Sequence, residues 1–133
     1  MIDQNKQNTL IAAAMQARHE AYAPYSHFYV GVALLTKDNE IITGINMENS
    51  SYGLSVCAER NAIATAIGKG KRDFQAMAIV SRGGVTPCGA CRQVIFDICG
   101  NIDIILADEE GKIRDITSTE TLLPNAFGNK DLV

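Results

Sequence analysis

The stretch "VCAER" sets a thiol, a carboxylate and a guanidinium, Cys57, Glu59 and Arg60, within four consecutive residues. Glutamate and arginine resist burial unless they are paired or serve a site, so the grouping points to something bound there. A second motif, "PCGAC", supplies Cys88 and Cys91. On a helix, residues three apart face one way and lie about 4.5 Å apart along the axis, so two sulfurs can share one metal ion. Both motifs read as helix starts, where unpaired N–H groups and the positive end of the dipole favour the thiolate that ligates.

Three soft thiolates suit zinc, and a site with three protein ligands keeps its fourth position for water, the arrangement of a catalytic centre. Cys99 is the remaining candidate ligand. On an unbroken helix it lies about 12 Å beyond Cys91 along the axis, too far for sulfurs that each sit about 2.3 Å from one zinc. It reads instead as a small apolar core residue. Glu59, two positions past Cys57, cannot share that residue's coordination direction, yet it can lean over the metal and take a proton from water. Arg60 can donate to a thiolate and so restore part of the electrophilicity that three thiolates remove from Zn²⁺.

Each feature alone has a plainer reading. A lone C-x-x-C occurs in redox and structural sites, Glu59 and Arg60 fit an exposed helical surface, and His19 and His27 have no partners at ligand spacing. The metal reading rests on the combination: C-x-E, an interval with one strand, then P-C-x-x-C, each motif at a helix start.

The elements that must position these residues follow from periodicity. Leu10, Ile11, Ala14, Met15 and Ala21 predict a first helix from about Thr9 to Tyr22, stopped by "APYS". "FYVGVALLT" and "EIITGINM" predict a hairpin with Asn39 in its turn, and "CAERNAIATAIGK" a helix from Cys57 to Lys69. "FQAMAIVS" is a third strand, "TPCGACRQVIFDIC" a third helix with its proline in the first turn, and "IDIILAD" and "KIRDIT" two more strands. The tail "LLPNAFGNKDLV" reads as turn-rich, yet too apolar to be simply solvated. The order αββαβαβ argues for an α/β fold of three layers, a mixed central sheet of about five strands with helices on both faces. If the two cysteine helices follow adjacent strands, they open at one edge of that sheet, where α/β proteins commonly bind ligands.

Residues 1–133 fit one domain, large enough to bury a core without staples. There is no long apolar run to span a membrane, and "LIAAAM" with its polar flanks lacks the layout of a signal peptide, which predicts a cytoplasmic protein. In that compartment clustered thiols ligate metal more often than they pair. A net charge of −3 leaves no electrostatic footprint for a nucleic-acid polymer.

Together, "AYAPYSHFYVGVALL", "GINMENSSYG", "CAER", "PCGACRQ" and "LLPNAFG" resemble the small homotetrameric cytidine deaminases over nearly the whole chain. The resemblance implies zinc-dependent hydrolytic deamination of cytidine and deoxycytidine to uridine and deoxyuridine plus ammonia, a reaction of pyrimidine salvage. It implies one Zn²⁺ per chain on Cys57, Cys88 and Cys91, water activated by the metal attacking C4, and Glu59 shuttling protons to N3 and to the departing ammonia. Asn46 and Glu48 would hydrogen-bond the sugar hydroxyls, although a capped turn is the plainer reading of both. Phe28 would line the base pocket, where a core role is the plainer reading, and Phe127 would reach a neighbouring subunit's site. The implied partners are a small nucleoside substrate and the other subunits of a homotetramer whose sites neighbours complete. Asn129 stands where the family often has proline.

Two rivals remain. A deaminase of another aminopyrimidine, such as blasticidin S, looks similar around the cysteine motifs but is disfavoured by "NMENSSY" and Arg60. A structural zinc module that binds a protein partner would require a closed fourth ligand.

Overall fold

The computed structural model describes residues 1–132. Helix α1 (Gln4–Arg18) starts five residues before the predicted Thr9, because Asp3 caps it, accepting from the Lys6 N–H at 2.9 Å. It also stops earlier, at Arg18, whose Nε donates to the Tyr29 carbonyl at 2.8 Å. Tyr22, expected at the helix end, instead forms an isolated β-bridge with Met47.

Strands β1 (Gly31–Thr36) and β2 (Ile41–Ile45) form the expected hairpin, with Asn39 in the left-handed region at φ 64°. Three further strands, β3 (Phe74–Val80), β4 (Asp103–Ala107) and β5 (Ile113–Ser118), complete a mixed sheet in the order β2-β1-β3-β4-β5. Only β3 and β4 pair in parallel. The residues Phe28 to Val30, read as part of the first strand, lie outside it and are held by a side chain described below.

Side chains alternate across a strand, so each inner strand feeds two cores. On one face Val32, Leu34, Met77, Ile79, Ile104 and Leu106 pack against Ala58, Ala62 and Ile63 of α2 (Ala58–Gly68) and Ile95 of α3 (Gly89–Cys99). On the other, Ala33, Ala76, Ala78 and Ala107 meet Leu10, Ile11 and Ala14 of α1. The α/β fold therefore has three layers, as the element order implies.

Close packing fixes where the helices sit. A Cβ on Gly44 of β2 would lie 2.5 Å from both the Ala58 carbonyl oxygen and the Ala62 nitrogen, so α2 can rest on β2 only because that position is glycine. Asn61 adds a tether, its Nδ2 donating to the Ile45 carbonyl at 2.7 Å.

The strands that feed α2 and α3 are β2 and β3, and they are not adjacent as the sequence reading supposed: β1 lies between them. Both run antiparallel to β1, so they point the same way, and the two helices still begin at one edge of the sheet on one face. The tail carries more structure than turns alone. A short helix α4 (Thr119–Leu122) is capped by Ser118, and a 3₁₀ turn covers Asn129–Leu132; Val133 lies outside the described residues.

Candidate active site

Cys57 and Cys88 are the N-cap residues of α2 and α3, both extended, at φ −72° and −67°. Cys91 lies in the first turn of α3 and is fully buried. The three sulfurs lie within 4.8 Å of one another, with Cys57 and Cys88 3.9 Å apart. Ligands about 2.3 Å from a tetrahedral zinc stand about 3.8 Å apart, so the spacing matches the ion. Cys99 ends α3 against the core, where burial pushes its thiol up to about 12. Among the described residues, Cys57, Cys88 and Cys91 are the only group of three such side chains placed to share an ion.

The electrostatics suit a cation. Hydrogen bonding with Cys91 brings the Cys57 thiol down to about 5, with Arg60 contributing through an Nη2 contact of 3.7 Å to the sulfur. Cys91 moves the opposite way, because it hydrogen-bonds to Cys57 and because it is buried. Arg60 Nε is buried without a partner, a donor left over beside the thiols. Soft donors, tetrahedral spacing and an adjacent guanidinium together fit Zn²⁺.

Glu59 is 5% exposed, and burial pushes its carboxyl up to about 7, the Cys57 charge adding to the shift and its own backbone N–H opposing it. It borders a cavity of about 200 Å³, whose wall also includes Phe28, Asn46, Ser81, Cys57 and Cys88. The Asn46 amide spans two strands' ends: its Oδ1 accepts from the Val30 N–H at 2.9 Å and its Nδ2 donates to the Phe28 carbonyl at 2.7 Å. Each half of that amide retains a further hydrogen-bonding position.

Glu48 and Phe127 are not brought to this cavity within one chain. The Glu48 carboxylate accepts from the backbone N–H groups of Tyr25 and Ser26 at 3.0 and 3.1 Å and from the Ser26 hydroxyl, which holds its pKa below the usual value. It faces a separate hollow of about 780 Å³ alongside Tyr22, Tyr25 and Met47. Phe127 is 59% exposed, its backbone carbonyl accepting from Gln93 Nε2 at 2.9 Å.

Arg92, within "PCGACRQ", has a structural role that the motif alone does not disclose. Its Nε donates to the Pro87 carbonyl at 2.8 Å, Nη2 to the Thr86 hydroxyl at 3.0 Å and Nη1 to the Leu122 carbonyl at 2.9 Å. The fork locks the Thr86–Pro87 wall of the cavity to α4. An arginine directly after Cys91 was the available signal, but two of its three acceptors are backbone carbonyls, which have no residue signature.

Residues 4–106 match the family model described as "Cytidine and deoxycytidylate deaminase zinc-binding region". The chain is 49% identical over 126 residues to a cytidine deaminase of Halalkalibacterium halodurans, covering 92% of this chain and 95% of that one. It is 48% identical to a cytidine deaminase of Sporosarcina psychrophila, with 92% of each covered. The crystal structure of a cytidine deaminase from Burkholderia pseudomallei superposes with a TM-score of 0.86 at 44% identity, covering 95% of this chain and all of the other. The thiol cluster and buried glutamate thus occur within a match that spans nearly the whole chain, and the protein belongs to the cytidine and deoxycytidylate deaminase family.

Proposed function

We propose that the protein hydrolyses the exocyclic amine of cytidine and deoxycytidine, releasing ammonia and leaving uridine or deoxyuridine, with one zinc per chain held by Cys57, Cys88 and Cys91. The observation that carries this reading is the placing of three sulfurs within 4.8 Å of one another beside a carboxyl that is 5% exposed. Zinc, when bound, acts as a Lewis acid that makes water nucleophilic near neutral pH.

The remaining work falls to side chains. Glu59, whose carboxyl burial holds above the usual value, takes a proton from the attacking water, delivers one to ring N3 and returns one to the leaving amine. Arg60, donating to Cys57, limits the negative charge that three thiolates accumulate. Phe28 offers an apolar wall to the base, while Asn46 has an N–H and a lone pair left for a sugar hydroxyl.

Residues 1–133 act as one catalytic domain in this reading, in the cytoplasm. Among the described residues no helix is long and apolar enough to cross a membrane. The assembly is a homotetramer in which Glu48 and Phe127 serve nucleoside sites completed across subunit boundaries. Tyr22, Tyr25, Met47, Tyr52 and Leu54 support this, since all are at least 48% exposed on the single chain. Sedimentation that finds an active monomer would remove the shared-site part of the reading.

The deciding experiment is incubation of the zinc-loaded protein with cytidine, following uridine and ammonia. Zinc at one equivalent with no uridine formed would overturn the assignment and leave the two rivals, a deaminase of another aminopyrimidine and the structural zinc module. Asn46→Ala tests the sugar contact: it should raise KM for cytidine while zinc content stays at one per chain. An unchanged KM would remove Asn46 from the binding surface.

A further inference from the structure

Arg82 reaches the cavity wall from a loop that none of the motifs includes. Its guanidinium carbon lies 5.5 Å from the centroid of the Phe28 ring, within the range of a cation–π contact. Among the described residues this guanidinium makes no hydrogen bond to a side chain or carbonyl and joins no ion pair, so the aromatic face is its sole specific partner.

Both partners spring from pinned backbone. Ser81 N–H donates to the Ala107 carbonyl at 3.2 Å, the Ser81 carbonyl accepts from Gly84 N–H at 3.1 Å, and the Ser81 hydroxyl accepts from Val85 N–H at 3.2 Å. Gly83 and Gly84 complete the turn at φ +79° and +65°, conformations costly for other residues. At Gly84 a Cβ would also lie 2.6 Å from the Arg114 side chain. On the other side, Phe28 N–H donates to the Ser26 hydroxyl at 3.0 Å and its carbonyl accepts from Asn46 at 2.7 Å. With both main chains tied, what is left to move is the Phe28 ring and the Arg82 side chain.

We propose that Arg82 is a positioning residue: its guanidinium rests on Phe28 and holds the ring as one wall of the substrate cavity, joining the segment before β1 to the β3–α3 loop. The inference rests on the reading of this cavity as a pyrimidine nucleoside site. Removing the cation frees the ring without touching the thiols or Glu59, so binding weakens while the chemical step is retained.

The test is steady-state kinetics with cytidine on wild type, Arg82→Gln, Arg82→Lys, Phe28→Leu and the Phe28→Leu/Arg82→Gln double variant. An exposed cation–π contact corresponds to about a two- to fivefold change, so Arg82→Gln should raise KM by about that factor with kcat within about twofold of wild type. Arg82→Lys should recover part of the loss, and Arg82→Gln should add nothing once Phe28 is leucine. A wild-type KM in Arg82→Gln, a lysine no better than glutamine, or an equal effect in both backgrounds would overturn the proposal while leaving the deaminase reading intact. A zinc-loaded wild type that does not turn over cytidine would overturn both.

Discussion

Glu59 and Asp108 are each only 5% exposed, but Glu59 lies deep at the start of α2 whereas Asp108 is covered by a surface turn, and their pKa values move in opposite directions. Asp108, at the end of β4, accepts from the backbone N–H groups of Lys112 and Glu110 at 3.0 Å and from Arg114 Nε and Nη2 at 3.1 Å. Those donors hold its carboxyl below the ordinary value and fix the β4–β5 turn around a permanent charge. Glu59 has no comparable set: burial and the neighbouring Cys57 charge raise it, with its own backbone N–H pulling back. Low exposure alone thus does not mark a carboxylate able to exchange protons: depth and the count of donors both enter. A buried carboxylate whose acceptor positions are filled is architecture, whereas one left underfilled sits near neutrality and can exchange protons.

The contrast breaks most sharply at Glu59. Glu59→Gln keeps the shape and removes the titration, so turnover of cytidine should fall by about 10⁴-fold or more, since one group serves several proton transfers. Zinc measured on the same preparation should remain at one per chain. Near wild-type turnover would erase the distinction between the two carboxylates.

Gly44→Ala sharpens the comparison by disturbing the support of one carboxylate only. The new Cβ would meet the Ala58 carbonyl and Ala62 nitrogen at 2.5 Å, driving the start of α2 off β2. Overpacking of this kind costs about 1–3 kcal/mol, so denaturant unfolding should show that loss together with weaker zinc retention. A variant with unchanged stability would mean that α2 is free to shift.

The smallest effect belongs to Asp108→Asn. It should lower Tm and leave kcat/KM for cytidine within about twofold of wild type, because the turn is remote from the chemistry. The sign with pH follows from the depressed value. Asp108 contributes stability above the unfolded carboxyl value of 3.8, and that contribution is lost as pH falls through the still lower folded value. The Tm difference between wild type and variant should therefore shrink on acidification below 3.8. A difference that widens instead would mean that Asp108 is not held as a charge.

The thiols and Glu59 were legible because short-range spacing encodes them: two helix starts, each with its cysteine at the cap. The sheet was legible because β1 and β3 are apolar runs bounded by turn residues. Helix α1 was misplaced at its start, since "QNKQ" has no apolar periodicity and the deciding contact is the Asp3 cap. The separation of β2 from β3 by β1 was also missed, because pairing order depends on contacts distant in sequence. Arg82 and Arg92 escaped for a related reason: Arg82 meets a ring 54 positions away, and Arg92 ties its own motif to the Leu122 carbonyl 30 positions on, which no local pattern announces.

The strand between β2 and β3 carries a consequence for exchange with solvent. β1 is buried at all six residues and paired on both sides, so its amides belong to the class that meets deuterium only when the whole domain opens. The termini of α1 and the β5 edge can fray on faster timescales, whereas β2, the other edge, is held by α2 through the Gly44 contact and the Asn61 tether. Breathing at α1 and β5 and the spacing of the thiols are accordingly separated in time, because the centre of the sheet and the α2–β2 contact hold the edge where the cysteine helices begin.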